Sequence, residues 1–286
     1  MPLAVKICGL STRETLDAAL DAGADMVGFV FFPPSPRHLA LDTARELGKR
    51  VGQRAIKVAL TVDADDAALE AIIAALDPGI LQLHGHETPA RASAIRHSFG
   101  REVMKALPVE GASDLAALSD YAEVADRILF DARPPKGATR PGGLGAVFDW
   151  HLLENLDLKL PFMVSGGLHA GNVTEAVRVT RASGVDVSSG VERAPGIKDI
   201  EMIRGFIRAA RASDLTSPLP VYGERSDRES DPGEGESPRA RLSPNLRKEP
   251  LTPTLSPHPP SPEGGLRRTG ERGEGEEAAP LNEAKN

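Results

Sequence analysis

Val5-Lys6-Ile7-Cys8-Gly9-Leu10-Ser11-Thr12 joins an alternating strand to a helix start through a single glycine. Val5 and Ile7 share one parity, Lys6 and Cys8 the other, so a strand here would show two distinct faces. Gly9 ends the run, and Ser11 and Thr12 belong to the residue types that cap helix N-termini. The stretch therefore reads as a first βα corner with Cys8 at the carboxyl end of its strand. Cys8 is the one cysteine among 286 residues. Such a residue is either a small buried hydrophobe or a reactive thiol, and by itself it does not choose between them.

The same corner recurs along residues 1 to 212, where short apolar runs alternate with amphipathic segments. Strands are predicted at Leu3 to Cys8, Met26 to Phe31, Ile56 to Thr61, Ile80 to His84, Glu102 to Leu107, Arg127 to Asp131, Phe162 to Ser165 and Val185 to Ser188. Helices are predicted at Thr12 to Asp21, Leu41 to Arg50, Ala64 to Leu76, Pro89 to Ser98, Ser113 to Ala122, Trp150 to Asn155, Asn172 to Ala182 and Asp199 to Ala212. In the third of these, Ala68, Leu69, Ile72, Ile73 and Leu76 fall at spacings of three and four behind acidic Asp63, Asp65 and Asp66. Eight such units in one domain fit a (β/α)₈ TIM barrel. A doubly wound open sheet is the rival, but no glycine fingerprint for a dinucleotide follows the first strand.

Composition narrows the function classes. The formal net charge is -7 and 40% of residues are hydrophobic, as in a globular chain with a sizeable core. The charges of both signs are interspersed, which argues against nucleic acid as a partner. No run approaches the roughly 18 apolar residues that span a bilayer, and no leader opens the chain. A single cysteine excludes an internal disulfide framework and a cysteine-clustered metal site, and it suits the cytoplasm.

In a barrel of this type the catalytic groups stand at strand carboxyl ends, so the polar residues there carry the functional reading. Cys8 ends the first strand. Asp131 ends the sixth, in step with Leu129, and is a proton carrier or a loop cap. Arg37 follows the second strand behind a proline-braced loop, as a fork for carboxylate or phosphate or as a surface cation. Gln82 and His84 share the face of the fourth strand opposite Leu81 and Leu83; they reach a ligand or sit satisfied in the core. After the seventh and eighth strands come Gly166-Gly167 and Ser188-Ser189-Gly190, small-residue loops whose backbone N–H groups suit a phosphate.

The ordered motifs Lys6-Ile7-Cys8-Gly9, Gly28-Phe29-Val30-Phe31 with Ser35-Pro36-Arg37, Leu81-Gln82-Leu83-His84-Gly85, Asp131, Phe148-Asp149-Trp150, Ser165-Gly166-Gly167-Leu168 and Asp186-Val187-Ser188-Ser189-Gly190-Val191-Glu192 together resemble phosphoribosylanthranilate isomerases over residues 3 to about 211. One departure is Gly143-Leu144-Gly145-Ala146, where that family often has Gly-Thr-Gly-Lys. The resemblance implies a cofactor-independent Amadori rearrangement in tryptophan biosynthesis, acting on a small phosphorylated aminosugar, by a monomer or homodimer. It implies Cys8 as general base, Asp131 as general acid, Arg37 on the anthranilate carboxylate, and the two small-residue loops on the phosphate. Free thiol and aspartic acid ionise near ~8.5 and ~3.9, on the wrong side of neutrality for these tasks. A helix start beside Gly9-Leu10-Ser11 is expected to lower the first, and apolar burial beside Leu129 to raise the second. Another phosphosugar barrel is the alternative enzyme. A Schiff-base aldolase among these would need an interior lysine, for which Lys57 and Lys105 are the strand candidates. A non-catalytic barrel that binds a phosphorylated ligand is the alternative from outside the enzymes.

From residue 213 the composition changes, and 12 of the 24 prolines lie between Pro218 and Pro280, mixed with Gly, Glu, Ser and Arg. Such a segment buries too little apolar surface to offset its chain entropy, so residues 213 to 286 are expected to be a disordered extension. Its Leu251-Thr252-Pro253-Thr254-Leu255-Ser256-Pro257 run resembles a translated bacterial intergenic repeat; the alternative is a Pro-rich docking tail.

Overall fold

The computed structural model describes residues 2–134, 137–138 and 141–216. Within them β1 (Ala4–Cys8), β2 (Met26–Phe31), β3 (Ile56–Thr61), β4 (Ile80–Leu83), β5 (Glu102–Val109), β6 (Arg127–Ala132), β7 (Phe162–Val164) and β8 (Gly184–Val187) form a closed parallel barrel in chain order. β8 closes onto β1 through the register Lys6↔Asp186 and Ile7↔Val187. The fold is the expected (β/α)₈ barrel, with strand bounds within two residues of those read from the sequence.

Alternation along the strands separates two cores. Met26, Val58, Ile80, Met104, Ala106, Leu129 and Met163 point inward and fill the barrel. Residues of the other parity, among them Val5, Ile7, Phe29, Leu81, Ile128 and Phe130, pack outward beneath the helices. A layer of methionines and branched side chains thus plugs the barrel below the mouth, so it is a packed core rather than a pore.

The outer helices are α1 (Arg13–Asp21), α2 (Leu41–Val51), α3 (Asp66–Leu76), α4 (Pro89–Phe99), α5 (Leu118–Ala122), α6 (Val173–Thr180) and α7 (Ile200–Thr216). Thr12, Asp65 and Thr88 cap α1, α3 and α4 by accepting backbone N–H bonds through their side chains. The fifth and sixth expected helices are reduced. Ala112–Ala117 is 3₁₀ and only then comes the short α5, because Asp114 draws the Glu110 and Gly111 N–H groups into a turn and Leu118 is the one buried residue of the two segments. Trp150–Leu153 is a single 3₁₀ turn in which Leu153 is the one buried residue, so little apolar surface sustains a longer helix.

Two features lie outside the expected pattern. Between β8 and α7 lies a hairpin of β9 (Glu192–Ala194) and β10 (Ile197–Lys198), with Gly196 against Pro36 of the loop after β2. α7 continues to Thr216, past the expected end at Ala212. The rest of the extension, from residue 217, lies outside the described residues. Among the described residues no helix is long and apolar enough to cross a membrane.

Candidate active site

Nine of the ten residues singled out at strand ends line one cavity at the barrel mouth: Cys8, Arg37, His84, Asp131, both glycines of the β7 loop and Ser188 to Gly190. Gln82 lies one layer deeper, fully buried, and reaches the cavity only through His84.

On the β4 and β6 side a chain of hydrogen bonds leads to Asp131. Gln82 Nε2 lies 3.0 Å from His84 Nδ1, and His84 Nε2 lies 3.1 Å from Asp131 Oδ2. The other carboxylate oxygen accepts from the Ala132 N–H at 3.0 Å. When Gln82 donates, His84 carries its proton on Nε2 and Asp131 is the acceptor. That orientation leaves Gln82 Oε1 buried without a partner. Turning the amide over lets Gln82 Oε1 accept from His84 Nδ1–H and leaves His84 Nε2 free to accept from a protonated Asp131. The same heavy-atom positions therefore serve both states of a proton-donating carboxyl.

The β1 and β8 side is charged. Lys6, Cys8 and Asp186 all face inward; the Lys6 ammonium bonds Asp186 Oδ1 at 2.9 Å with both side chains buried. Burial pushes the Cys8 thiol up; Lys6 is the strongest influence pulling the other way, Asp186 adds to the rise, and Lys198 opposes it. The expected lowering of Cys8 by a helix start is not found: α1 begins only at Arg13, and burial leaves the thiol above its usual range. Burial by itself would lower the Lys6 ammonium, but Asp186 and Cys8 outweigh it and hold it above the usual lysine range.

Arg37 is buried, and its Nε and Nη2 grip Glu192 Oε1 and Oε2, each at 2.7 Å. Its Nη2 also donates to Gly143 O at 3.1 Å, and its Nη1 lies against Gly143. Lys198 Nζ bonds Glu192 Oε1 at 2.8 Å and Ser188 O at 2.9 Å, so the hairpin ties the guanidinium to the loop after β8. Burial tends to raise the Glu192 carboxyl, yet Arg37 and Lys198 hold it below the usual range.

The two small-residue loops touch each other: a Cβ on Gly190 would collide with the Leu168 carbonyl oxygen. Asn172, just before α6, spends its side chain on Gly167 O and the His169 N–H and so braces the first loop. The Pro141 to Ala146 segment lines the same cavity. A Cβ on Gly142 would lie 2.6 Å from Asp131 Oδ2 and 2.9 Å from His84 Nε2. The cavity beneath is about 70 Å³, and a second cavity that shares His84, Asp131 and Pro141 with it adjoins on the β4 and β5 side.

The lysines considered for a Schiff base are not in this cavity's lining. Lys57 reaches Asp77 at 3.6 Å, and Lys105 is held by Leu83 O, Gly85 O and Glu87. Lys6 is the interior lysine that the sequence reading passed over, though its shared parity with Cys8 marked it. Lys198 and the clamp role of Glu192 were missed because nothing in the local pattern announced the hairpin. No group of three or more His, Cys, Asp or Glu among the described residues is arranged to hold a metal.

A family model described as N-(5'-phosphoribosyl)anthranilate (PRA) isomerase matches residues 5–209. The chain is 74% identical over 217 residues to an N-(5'-phosphoribosyl)anthranilate isomerase of Bradyrhizobium diazoefficiens, covering 76% of this chain and 97% of that one. Monomers of the dimeric phosphoribosylanthranilate isomerase of Thermotoga maritima superpose with a TM-score of 0.64 at 32% identity, over 73% of this chain and 99% of that one. A phosphoribosyl anthranilate isomerase in complex with reduced 1-(o-carboxyphenylamino)-1-deoxyribulose 5-phosphate gives 0.65 at 32% identity, with the same coverage.

Proposed function

The chain belongs to the N-(5'-phosphoribosyl)anthranilate isomerase family, and from that premise we propose how its residues divide the work. The activity is the isomerisation of N-(5-phosphoribosyl)anthranilate to 1-(2-carboxyphenylamino)-1-deoxyribulose 5-phosphate in tryptophan biosynthesis. Asp131, protonated, gives its proton to the furanose ring oxygen as the C1–O bond breaks, leaving an iminium at C1. Cys8, as thiolate, then takes the proton from C2. The released electron pair moves into the C1–C2 bond and neutralises the iminium, giving an enolamine that tautomerises to the ketone. The iminium is the electron sink for this step.

The observation that carries this reading is the placement of a thiol and a carboxyl at the ends of β1 and β6, on opposite sides of one cavity. Arg37 holds the anthranilate carboxylate through its Nη1 side once the Gly143 segment lifts, because Glu192 already occupies the other edge of its fork. The N–H groups of Gly166, Gly167, Ser189 and Gly190 hold the phosphate. A single cysteine in its reduced form suits a cytoplasmic enzyme.

The test is turnover by Cys8→Ala and Asp131→Asn. Each is expected to lose about a hundredfold or more in kcat, the usual size for a lost acid or base, while still binding the product. Near-normal turnover by either variant removes that residue from its role.

A further inference from the structure

Resting on the reading of Cys8 as the base, we propose that Lys6 is its positioning residue: the ammonium, anchored by Asp186, stands beside the sulfur and holds it as the thiolate. Lys6 is fully buried on the inward face of β1, and the interior it shares is otherwise built of Met26, Met104, Met163 and similar apolar groups. A buried ion pair recovers its desolvation only in part, and an apolar pair of the same volume is often as stable. Stability of the barrel therefore gives no reason for a charge at this level. The site immediately above it does.

Placement supplies the reason. Lys6 and Cys8 alternate onto the same face one layer apart, and Asp186 is the register partner of Lys6 on β8. On the other flank, Cys8 pairs with Gly28 of β2. A Cβ on Gly28 would lie 3.0 Å from Cys8 Sγ and 3.2 Å from Lys6 Nζ, so the missing side chain is the space in which the ammonium rises to the sulfur. Asp186 accounts for one of the three ammonium protons, leaving donors for the sulfur.

The charged groups around the thiol are few. Asp186 reaches it from β8 and Lys198 from β10. Arg37 crosses Gly9 but is engaged by Glu192, and Met26 and Gly28 of β2 contribute no charge. Against the burial of Cys8, Lys6 is the largest favourable influence on the thiolate. Asp186 in turn keeps Lys6 protonated, so the lysine serves neither as acid nor as Schiff-base nucleophile. In turnover the thiol proton leaves to water before substrate binds. The thiolate then forms S–H as C2–H breaks, and Lys6 keeps all its protons throughout.

The experiment uses the full-length chain with Lys6→Met/Asp186→Asn, which removes both charges and orphans neither. Iodoacetamide alkylation of the sole cysteine against pH reads Cys8 ionisation without requiring turnover, and a pH–rate profile reads its consequence. Loss of the cation raises the thiol, so the alkylation curve and the acid limb of kcat/KM are both expected to move up by about one pH unit or more. That corresponds to about a tenfold loss at pH values below the limb, recovered at higher pH, with KM changed by less than about threefold. Lys6→Arg, which keeps a cation, is expected to restore part of the shift. If the double variant does not fold, Gly28→Ala wedges a methyl between nitrogen and sulfur and is expected to move the alkylation curve in the same direction. An alkylation curve unmoved in the folded variant overturns the proposal. Turnover by Cys8→Ala would instead overturn the reading of Cys8 as base, whatever the alkylation curve does.

Discussion

The base and the acid face each other across one mouth, yet the protein supports them by opposite means. Around Cys8 the support is charge: Lys6 with Asp186, and Lys198 with Glu192, all buried. Around Asp131 it is a chain of hydrogen bonds through His84 and Gln82, with one backbone N–H. The contrast follows from what each group must do. A buried thiol has to be helped to lose a proton, and a cation beside it does that. A carboxyl that must be protonated for one step and ionised after it is better served by neighbours that donate or accept as required.

The largest effect that sharpens this contrast is steric and confined to the acid side. Gly142→Ala puts a methyl 2.6 Å from Asp131 Oδ2 and 2.9 Å from His84 Nε2. A displacement of about 1 Å at reacting groups costs on the order of a hundredfold, so kcat is expected to fall by about that much while the Cys8 alkylation curve stays where it is. A shift of that curve would show that the two sides are not separately supported.

His84→Ala is expected to cost about tenfold in kcat, in keeping with a lost hydrogen bond to a group that carries charge in part of the cycle. Combined with Lys6→Met/Asp186→Asn, the losses should multiply, because among the described residues the two networks have separate hydrogen bonds. A combined loss far from the product would join the two networks into one.

These supports also mark how far the sequence could be read. The eight strand ends were legible because the alternation of Val5 and Ile7 against Lys6 and Cys8, or Leu81 and Leu83 against Gln82 and His84, is a property of a few neighbouring residues. Cys8, Asp131 and His84 followed from where those strands stop. The clamp on Arg37 was not legible, since Glu192 lies 155 residues away and reaches it only through the β9–β10 hairpin. The reduced helices at Ala112 and Trp150 were missed for a related reason: helical composition was present there, but little of either segment is buried to sustain a longer helix.

A smaller effect concerns the clamp. Glu192 is held below the usual carboxylate range, so the ionised form belongs to the folded state. Its contribution is present above the unfolded value near ~4.3 and is lost as pH falls through the lower folded value. Glu192→Gln removes this dependence. Thermal unfolding of the wild type should therefore lose more than that of the variant as the pH is taken from 5 to 3. Parallel curves would mean that the Arg37 and Lys198 pairs do not bias Glu192.

The smallest effect expected is none, and it bears on where the supported site ends. α7 packs against α1 and α6, and Ile203, Phe206, Ile207 and Ala210 are buried along it. Removing any of its last buried turns would uncover the barrel wall behind β1, the strand that carries both Lys6 and Cys8. Beyond Thr216 the sequence turns to Ser217-Pro218-Leu219-Pro220 and offers no further apolar stripe. We therefore expect a chain ending at Thr216 to keep kcat and KM within about twofold, a change worth less than about 0.5 kcal/mol in the barrier, and to complement a tryptophan auxotroph lacking this step. A chain ending before Phe206 should fail to fold, since it loses the apolar face of α7. A tenfold loss on cutting at Thr216, with the barrel still folded, would make the extension a third support of the site alongside the charged and the hydrogen-bonded ones.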